Sequence, residues 1–235
     1  MTTKATRRNF LLASATGVGL LSSVPVRAQD DVDTPTVPPP KFAIVLFEGK
    51  DLSGWVSRKG GPAGWRVRGS YMEVVPGSGD IYTKRTFGDF QLHVEFWLPY
   101  MPEAKGQARA NSGVYLQGRY EVQVLDSYGL DSKDNDCGGI YKVAAPLVNA
   151  CKKPQTWQKY DVAFRAPRFD ASGKLTENAR VTVFQNSVMI HNNLELPRTT
   201  TPGDLDGEVS KPGPILLQDH GNLVRYRNIW IVPVK

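Results

Sequence analysis

The chain is expected to fold as an all-β sandwich or jelly roll, and three observations predict it. Apolar and polar residues alternate with a period of two over several runs. The 22 glycines and 17 prolines cluster between those runs, as in Gly60-Gly61-Pro62, Pro76-Gly77 and Pro212-Gly213-Pro214. Beyond the first 28 residues no stretch keeps a helical apolar period for two turns. Many short alternating strands separated by Gly/Pro turns belong to sandwiches and jelly rolls.

Taken in order, the first element is an address. Arg7-Arg8-Asn9-Phe10-Leu11 is a twin-arginine box, followed by a small and apolar run and then Val26-Arg27-Ala28. A charged start, an apolar middle and a small residue at the end read as a signal peptide over 1–28, using the twin-arginine export machinery. Roughly 17 apolar residues broken by glycines are short for a membrane span, so no stable anchor is expected after cleavage. The expected location is periplasmic or secreted. Residues 29–41 turn acidic and then Pro-rich, ending Pro38-Pro39-Pro40, and read as an extended linker. Residues 42–235 then form one domain.

The formal charge of +6 belongs mostly to the leader. Lys4, Arg7, Arg8 and Arg27 lie there without acids, and removing these four leaves +2. That small charge gives no electrostatic case for nucleic acid as a partner.

Within the body, Asp89–Leu98 alternates most regularly. Phe90, Leu92, Val94, Phe96 and Leu98 share one face; Gln91, His93, Glu95 and Trp97 share the other. Ser112, Val114 and Leu116 repeat the pattern, with Asn111, Tyr115 and Gln117 opposite. In Tyr120–Asp126, Val122 and Val124 face inward and Glu121 and Gln123 outward. Further strands are expected at 157–166, 180–185, 215–218 and 224–234. An antiparallel sheet can keep one polar face, and a ligand can lie on it if it is concave.

Cys137 and Cys151 flank a turn-rich stretch. An exported protein permits a disulfide between them, closing a loop of about 15 residues and contributing roughly 3 kcal/mol. Two free thiols, or part of a metal site, are the alternatives.

Three constellations carry candidate chemistry. Glu121 and Gln123 sit side by side on a strand, and a bulge would bring Asp126 to the same face. Two carboxyl groups there divide acid and base work or hold a hard cation. The spacing is loosely similar to the E-x-D-x-x-E strand of retaining glucanases, with Gln123 in place of the middle carboxylate. An ordinary solvated strand face is the alternative. Gln218 and His220 end a buried strand, and histidine's ordinary pKa suits proton transfer near neutrality. Arg225 and Arg227 follow, as an oxyanion site or as solvent cover. Asn111, Tyr115, Gln117 and Arg119 make a donor and acceptor array suited to hydroxyls. Trp55, Trp65 and Trp97 offer sugar platforms or core, with core favoured for Trp65. His191, beside Asn192 and Asn193, reads as a loop residue.

Several strings together resemble one family. Phe47-Glu48-Gly49-Lys50-Asp51-Leu52-Ser53-Gly54-Trp55 is similar to the F-D-G-K-D-L-x-G-W opening of the 3-keto-disaccharide hydrolases. Gly88–Leu92, Asn111–Tyr115, Tyr120–Ser127, Gly139–Tyr141, Trp157–Tyr160, Leu217–Gly221 and Arg227–Ile229 follow in that family's order. The resemblance spans about residues 43–233. Glu48 replaces the usual Asp, Asn186-Ser187 the usual N-G turn, and Trp97 a common Arg. The resemblance implies a concanavalin-A-like jelly roll of two antiparallel sheets and action on glycosides oxidised at C3.

A C3 ketone acidifies the C2 proton, so elimination followed by hydration gives net hydrolysis. Such a site needs a base, a donor for the enolate oxygen and an acid for the leaving group. Glu121 and His220 are the expected proton carriers, with Asp126 a third candidate or a cation ligand. Asn111, Tyr115, Arg119, Gln123, Gln218 and Arg227 are expected to bind or orient the carbohydrate. No cofactor is required by the pattern, although a divalent cation has a place. A lectin-like binding module on the same strands is the alternative. A retaining glycosidase would need two carboxyl groups about 5–5.5 Å apart, and Gln123 argues against it.

Overall fold

The computed structural model describes residues 36–200 and 205–234. The expected leader, 1–28, and the first part of the expected linker lie outside the described residues. Two antiparallel sheets form a jelly-roll sandwich, with one short 3-10 turn at Gly106–Ala108. Among the described residues, no helix is long and apolar enough to cross a membrane.

The large sheet has eight strands. Its path runs β13 (Val188–Leu196), β12 (Ala179–Gln185), β9 (Gln158–Arg165), β6 (Phe90–Trp97), β15 (Arg225–Pro233), β4 (Tyr71–Glu73) and β3 (Arg66–Arg68). β1 (Ile44–Phe47) lies beside β4 along the same edge of β15. The small sheet runs β2 (Trp55–Ser57), β5 (Ile81–Thr83), β14 (Leu216–Leu217), β7 (Ser112–Leu116) and β8 (Tyr120–Val124). A separate ribbon pairs β10 (Arg168–Phe169) with β11 (Leu175–Glu177).

Alternation explains the core. Phe90, Leu92, Val94 and Phe96 of β6 meet Ile81, Val114, Leu116, Val122, Val124 and Leu217 of the small sheet in one buried cluster. Two tyrosines of the large sheet cross that core with their hydroxyls. Tyr226 donates to Ser112 Oγ at 2.7 Å, and Ser112 Oγ donates to the Gln218 carbonyl at 2.6 Å. Tyr160 donates to the Gln123 carbonyl at 2.7 Å. A buried hydroxyl needs such a partner, because leaving one unpaired costs about 1–3 kcal/mol.

The strand at 188–196 is a departure from expectation. His191 is not in a loop; it is a buried residue of β13 whose Nε2 pairs with the Gly138 carbonyl at 2.8 Å. The polar Asn192-Asn193 pair masked the strand, since those two face solvent at a register shift. Trp55 and Trp65 are both core, with their indole N–H groups bonded to the carbonyls of Leu46 and Gly79. Trp97 is covered by the Arg225 guanidinium at 4.0 Å. None of the three is an exposed platform.

Cys137 and Cys151 are also corrected: both are buried free thiols here, not a disulfide. They share a polar pocket in the core. Cys137 Sγ accepts from Gln185 Nε2 at 3.2 Å, and Gln158 Nε2 lies 3.8 Å from Cys151 Sγ.

Candidate active site

The small sheet's outer face holds the site, and strand register builds it in two rows. Val56, Tyr82, Leu216, Tyr115 and Glu121 form one row across the five strands. Beside it, Gln218, Gly113 and Gln123 form the second, with the Gln218 N–H donating to the Gly113 carbonyl at 3.0 Å. Arg58 and Asp80 extend this row, joined by a backbone bond of 2.8 Å.

Gly113 is the recess between two glutamines. A Cβ there would overlap Glu121 Oε1 and come within 2.9 Å of the Tyr115 ring. The carboxylate and the phenol therefore lie over a residue without a side chain. Glu121 is 2% exposed although it points away from the core. Tyr115 donates its hydroxyl to Glu121 Oε2 at 2.9 Å, and Gln218 Nε2 donates to the Tyr115 hydroxyl at 3.2 Å.

No cation among the described residues pairs with Glu121. Burial pushes its pKa up to about 7; the Tyr115 bond pulls it down, and the charge of Asp80 raises it further. Burial, followed by the adjacent Glu121 charge, raises the Tyr115 phenol far above its ordinary value, so it remains a donor.

The amides of this face are held from below. Gln107 on the 3-10 turn accepts from Gln123 Nε2 at 2.9 Å and from Asn111 Nδ2 at 3.2 Å. Asn111 Oδ1, Gln123 Oε1 and Gln218 Oε1 are buried acceptors without a partner among the described residues. Asp80 and Asp219 bracket the Gln218 loop: the Asp219 N–H donates to Asp80 Oδ1 at 2.9 Å, and the Gly79 N–H to Asp219 Oδ2 at 2.8 Å.

The expected residues divide accordingly. Glu121, Tyr115, Gln123, Gln218 and Asn111 meet on this face. His220 lies exposed on the loop after β14, and no hydrogen bond or ion pair of it occurs among the described residues.

Asp126 follows the expected slip in alternation, but its carboxylate is bound to Arg109. Val124 and Leu125 both enter the core, so alternation slips before it. Its carboxylate accepts from Arg109 Nε at 2.8 Å and from the Tyr128 N–H at 3.2 Å. Arg119 sits in the turn between β7 and β8 with a buried guanidinium, bonded to Asp206 at 2.7 Å and to the Lys211 carbonyl at 2.9 Å. It fastens a loop and presents nothing to the row above. Arg227 is on the other sheet. Its neighbour Tyr226 points into the core, so Arg227 faces the outer side of the large sheet, on Glu95 and Trp157.

Sequence reading missed Gln107, Asp80 and Arg58, which reach the site from turns where no period operates. Among the described residues no three His, Cys, Asp or Glu side chains cluster to hold a metal ion.

The chain has relatives. A candidate glycosyl hydrolase from Parabacteroides distasonis is 44% identical, with 83% of this chain and 84% of that one covered and a TM-score of 0.76. A second from the same organism, 20% identical, shares the fold over 82% of this chain and 94% of its own at a TM-score of 0.63. No curated protein matches the chain. The sequence model of the 3-keto-alpha-glucoside-1,2-lyase-like domain matches residues 43–232, and the chain belongs to that family.

Proposed function

We propose that this is an exported carbohydrate-active enzyme that breaks the C1–O bond of 3-keto-glycosides by elimination. The observation that carries the reading is Glu121: a buried carboxylate poised at about 7, free of any cationic partner among the described residues, over a glycine recess. A general base works best when its pKa lies near the working pH. The family's description as 1,2-lyase-like and the 44% identical candidate glycosyl hydrolase support the substrate class.

In this mechanism Glu121 takes the C2 proton, and the electron pair moves onto the C3 oxygen as an enolate. The Tyr115 hydroxyl and the Gln218 amide are the donors that stabilise that charge. The enolate then collapses, C1=C2 forms, and the C1–O bond breaks. The leaving oxygen takes a proton from His220, exposed on the loop after β14. Water adding across the enone completes a net hydrolysis. Asn111 Oδ1, Gln123 Oε1 and Gln218 Oε1 accept hydrogen bonds from the sugar hydroxyls.

The test is a 3-keto-glucoside with a chromogenic leaving group. Release should rise with pH through about 7, as Glu121 ionises. It should fall at least about 100-fold in Glu121→Gln, the usual range for losing a general base. Unchanged release in that variant sinks the assignment. No release by the unaltered protein, with binding of plain oligosaccharides retained, makes the chain a binding module instead.

A further inference from the structure

A second buried polar cluster occupies the outer face of the large sheet, on the strands that carry Arg227 and not Glu121. His93 is fully buried and lies flat against Trp230, ring centroids 4.8 Å apart and planes 11° apart. Its Nδ1 is 2.6 Å from Asp161 Oδ1, and its Nε2 is 3.4 Å from Glu95 Oε1 and 3.3 Å from Asn228 Nδ2. Among the described residues, the other charges facing this group are Arg227, which donates to Glu95 Oε2 at 2.7 Å, and Lys159, 3.0 Å from Asp161 Oδ2.

Over the cluster runs the Pro-rich stretch expected to be a linker. Its described part is hydrogen-bonded to the sheet through Val37. The Val37 N–H donates to Glu95 Oε1 at 3.3 Å. The Val37 carbonyl accepts from Asn228 Nδ2 at 2.8 Å and from Trp230 Nε1 at 3.3 Å. Beside the contact is a cavity of about 200 Å³ bordered by Val37, Glu95, Trp157, Lys159 and Asn186.

We propose that Glu95, Asn228 and Trp230 form a docking site for an extended backbone, filled by this chain's own residues 36–40, and that the proton on His93 holds it closed.

The occupant suits the site. Pro38, Pro39 and Pro40 have no N–H, so Val37 offers the one donor among those four residues. A residue before proline is already extended, so docking it costs little ordering entropy. The gate follows from donor counting. Protonated His93 donates from both nitrogens, to Asp161 and to Glu95. Neutral His93 keeps one hydrogen, and the shorter contact retains it on Nδ1. Nε2 then becomes an acceptor facing Glu95 Oε1, and the nearest donor is Asn228.

The Asn228 amide has two hydrogens, committed to Val37 O and to Glu95 Oε1, both at 2.8 Å. Diverting one of them loosens the clamp. Although burial opposes the charge on His93, its hydrogen bonds to Asp161 and then Glu95 win, and its pKa lies above the ordinary 6.5. Docking supported by that proton is complete at low pH and is lost as pH rises through the raised value.

The measurement is amide exchange of Val37 in the full chain at pH 6 and pH 9, corrected for intrinsic exchange. Protection should fall more than tenfold at pH 9, and His93→Gln should abolish the dependence. A second variant guards against misfolding of the first. Asn228 has φ 46° at a bulge in β15, so Asn228→Gly keeps the backbone and removes the clamp. In that variant Val37 should be unprotected at both pH values. Equal protection at both pH values in the unaltered chain, or a pH dependence that persists in His93→Gln, overturns the proposal. The readout is the segment and not turnover, so it stands or falls apart from the proposed elimination.

Discussion

Glu121 and Gly113 depend on each other. The carboxylate occupies the space where any other residue at 113 would put its Cβ. Gly113→Ala should therefore push Glu121 and the Tyr115 ring off their present positions. Overpacking of this kind costs about 1–3 kcal/mol, but the larger loss should be in turnover, because a base displaced by an ångström no longer meets its proton. The check is kcat beside urea unfolding. A variant that unfolds earlier yet turns over at the original rate would place the chemistry away from this recess. At this scale the sequence was half legible. Glu121, Gln123 and Tyr115 follow from period-two alternation, whereas Gln107, Asp80 and Arg58 come from turns, where side-chain direction depends on backbone dihedrals that pattern reading does not supply.

The strands themselves were the most legible elements. β6, β8, β9, β12 and β15 lie close to their expected spans, because each alternates over enough residues for the period to stand out. β2 to β5 are three residues each and carry too few alternations to be seen. The arginines misled because alternation assigns a residue to one of two faces without saying which sheet those faces belong to. Arg227 takes the outer face of the large sheet, and Arg119 leaves its strand for a turn. The buried Arg119 guanidinium predicts a consequence for one element. Arg119→Ala should free residues 205–213, which it holds through Asp206 and the Lys211 carbonyl, and cost about 1–3 kcal/mol for the partners left unpaired. Limited proteolysis should cut that loop first; resistance equal to the unaltered chain would mean that the loop is held by other contacts.

For the whole molecule, the site is a place where stability is given up. Glu121 has a folded pKa of about 7 against an ordinary 4.5, so the folded state holds this proton more tightly than the unfolded chain. The favourable contribution is complete below 4.5 and disappears as pH rises through 7. At pH 8 the ionised, buried carboxylate should cost up to about 3 kcal/mol relative to pH 4, at about 1.4 kcal/mol per pKa unit. Glu121→Gln should thus gain on the unaltered protein between pH 5 and pH 8, as read by urea unfolding at each pH. A constant gap between the two proteins would contradict the raised pKa.

The two tyrosines that cross the core set how the sandwich can deform. Sliding one sheet against the other by a single residue would pull the Tyr226 and Tyr160 hydroxyls away from their acceptors on the small sheet. Apolar contacts alone tolerate such sliding, because one methyl group replaces another at little cost. These hydroxyls act as dowels through the layers: shear is blocked while the sheets keep their freedom to twist. The dowels end at Gln218 and Gln123, so the backbone beneath those two amides is registered against the opposite sheet rather than only against its own neighbours.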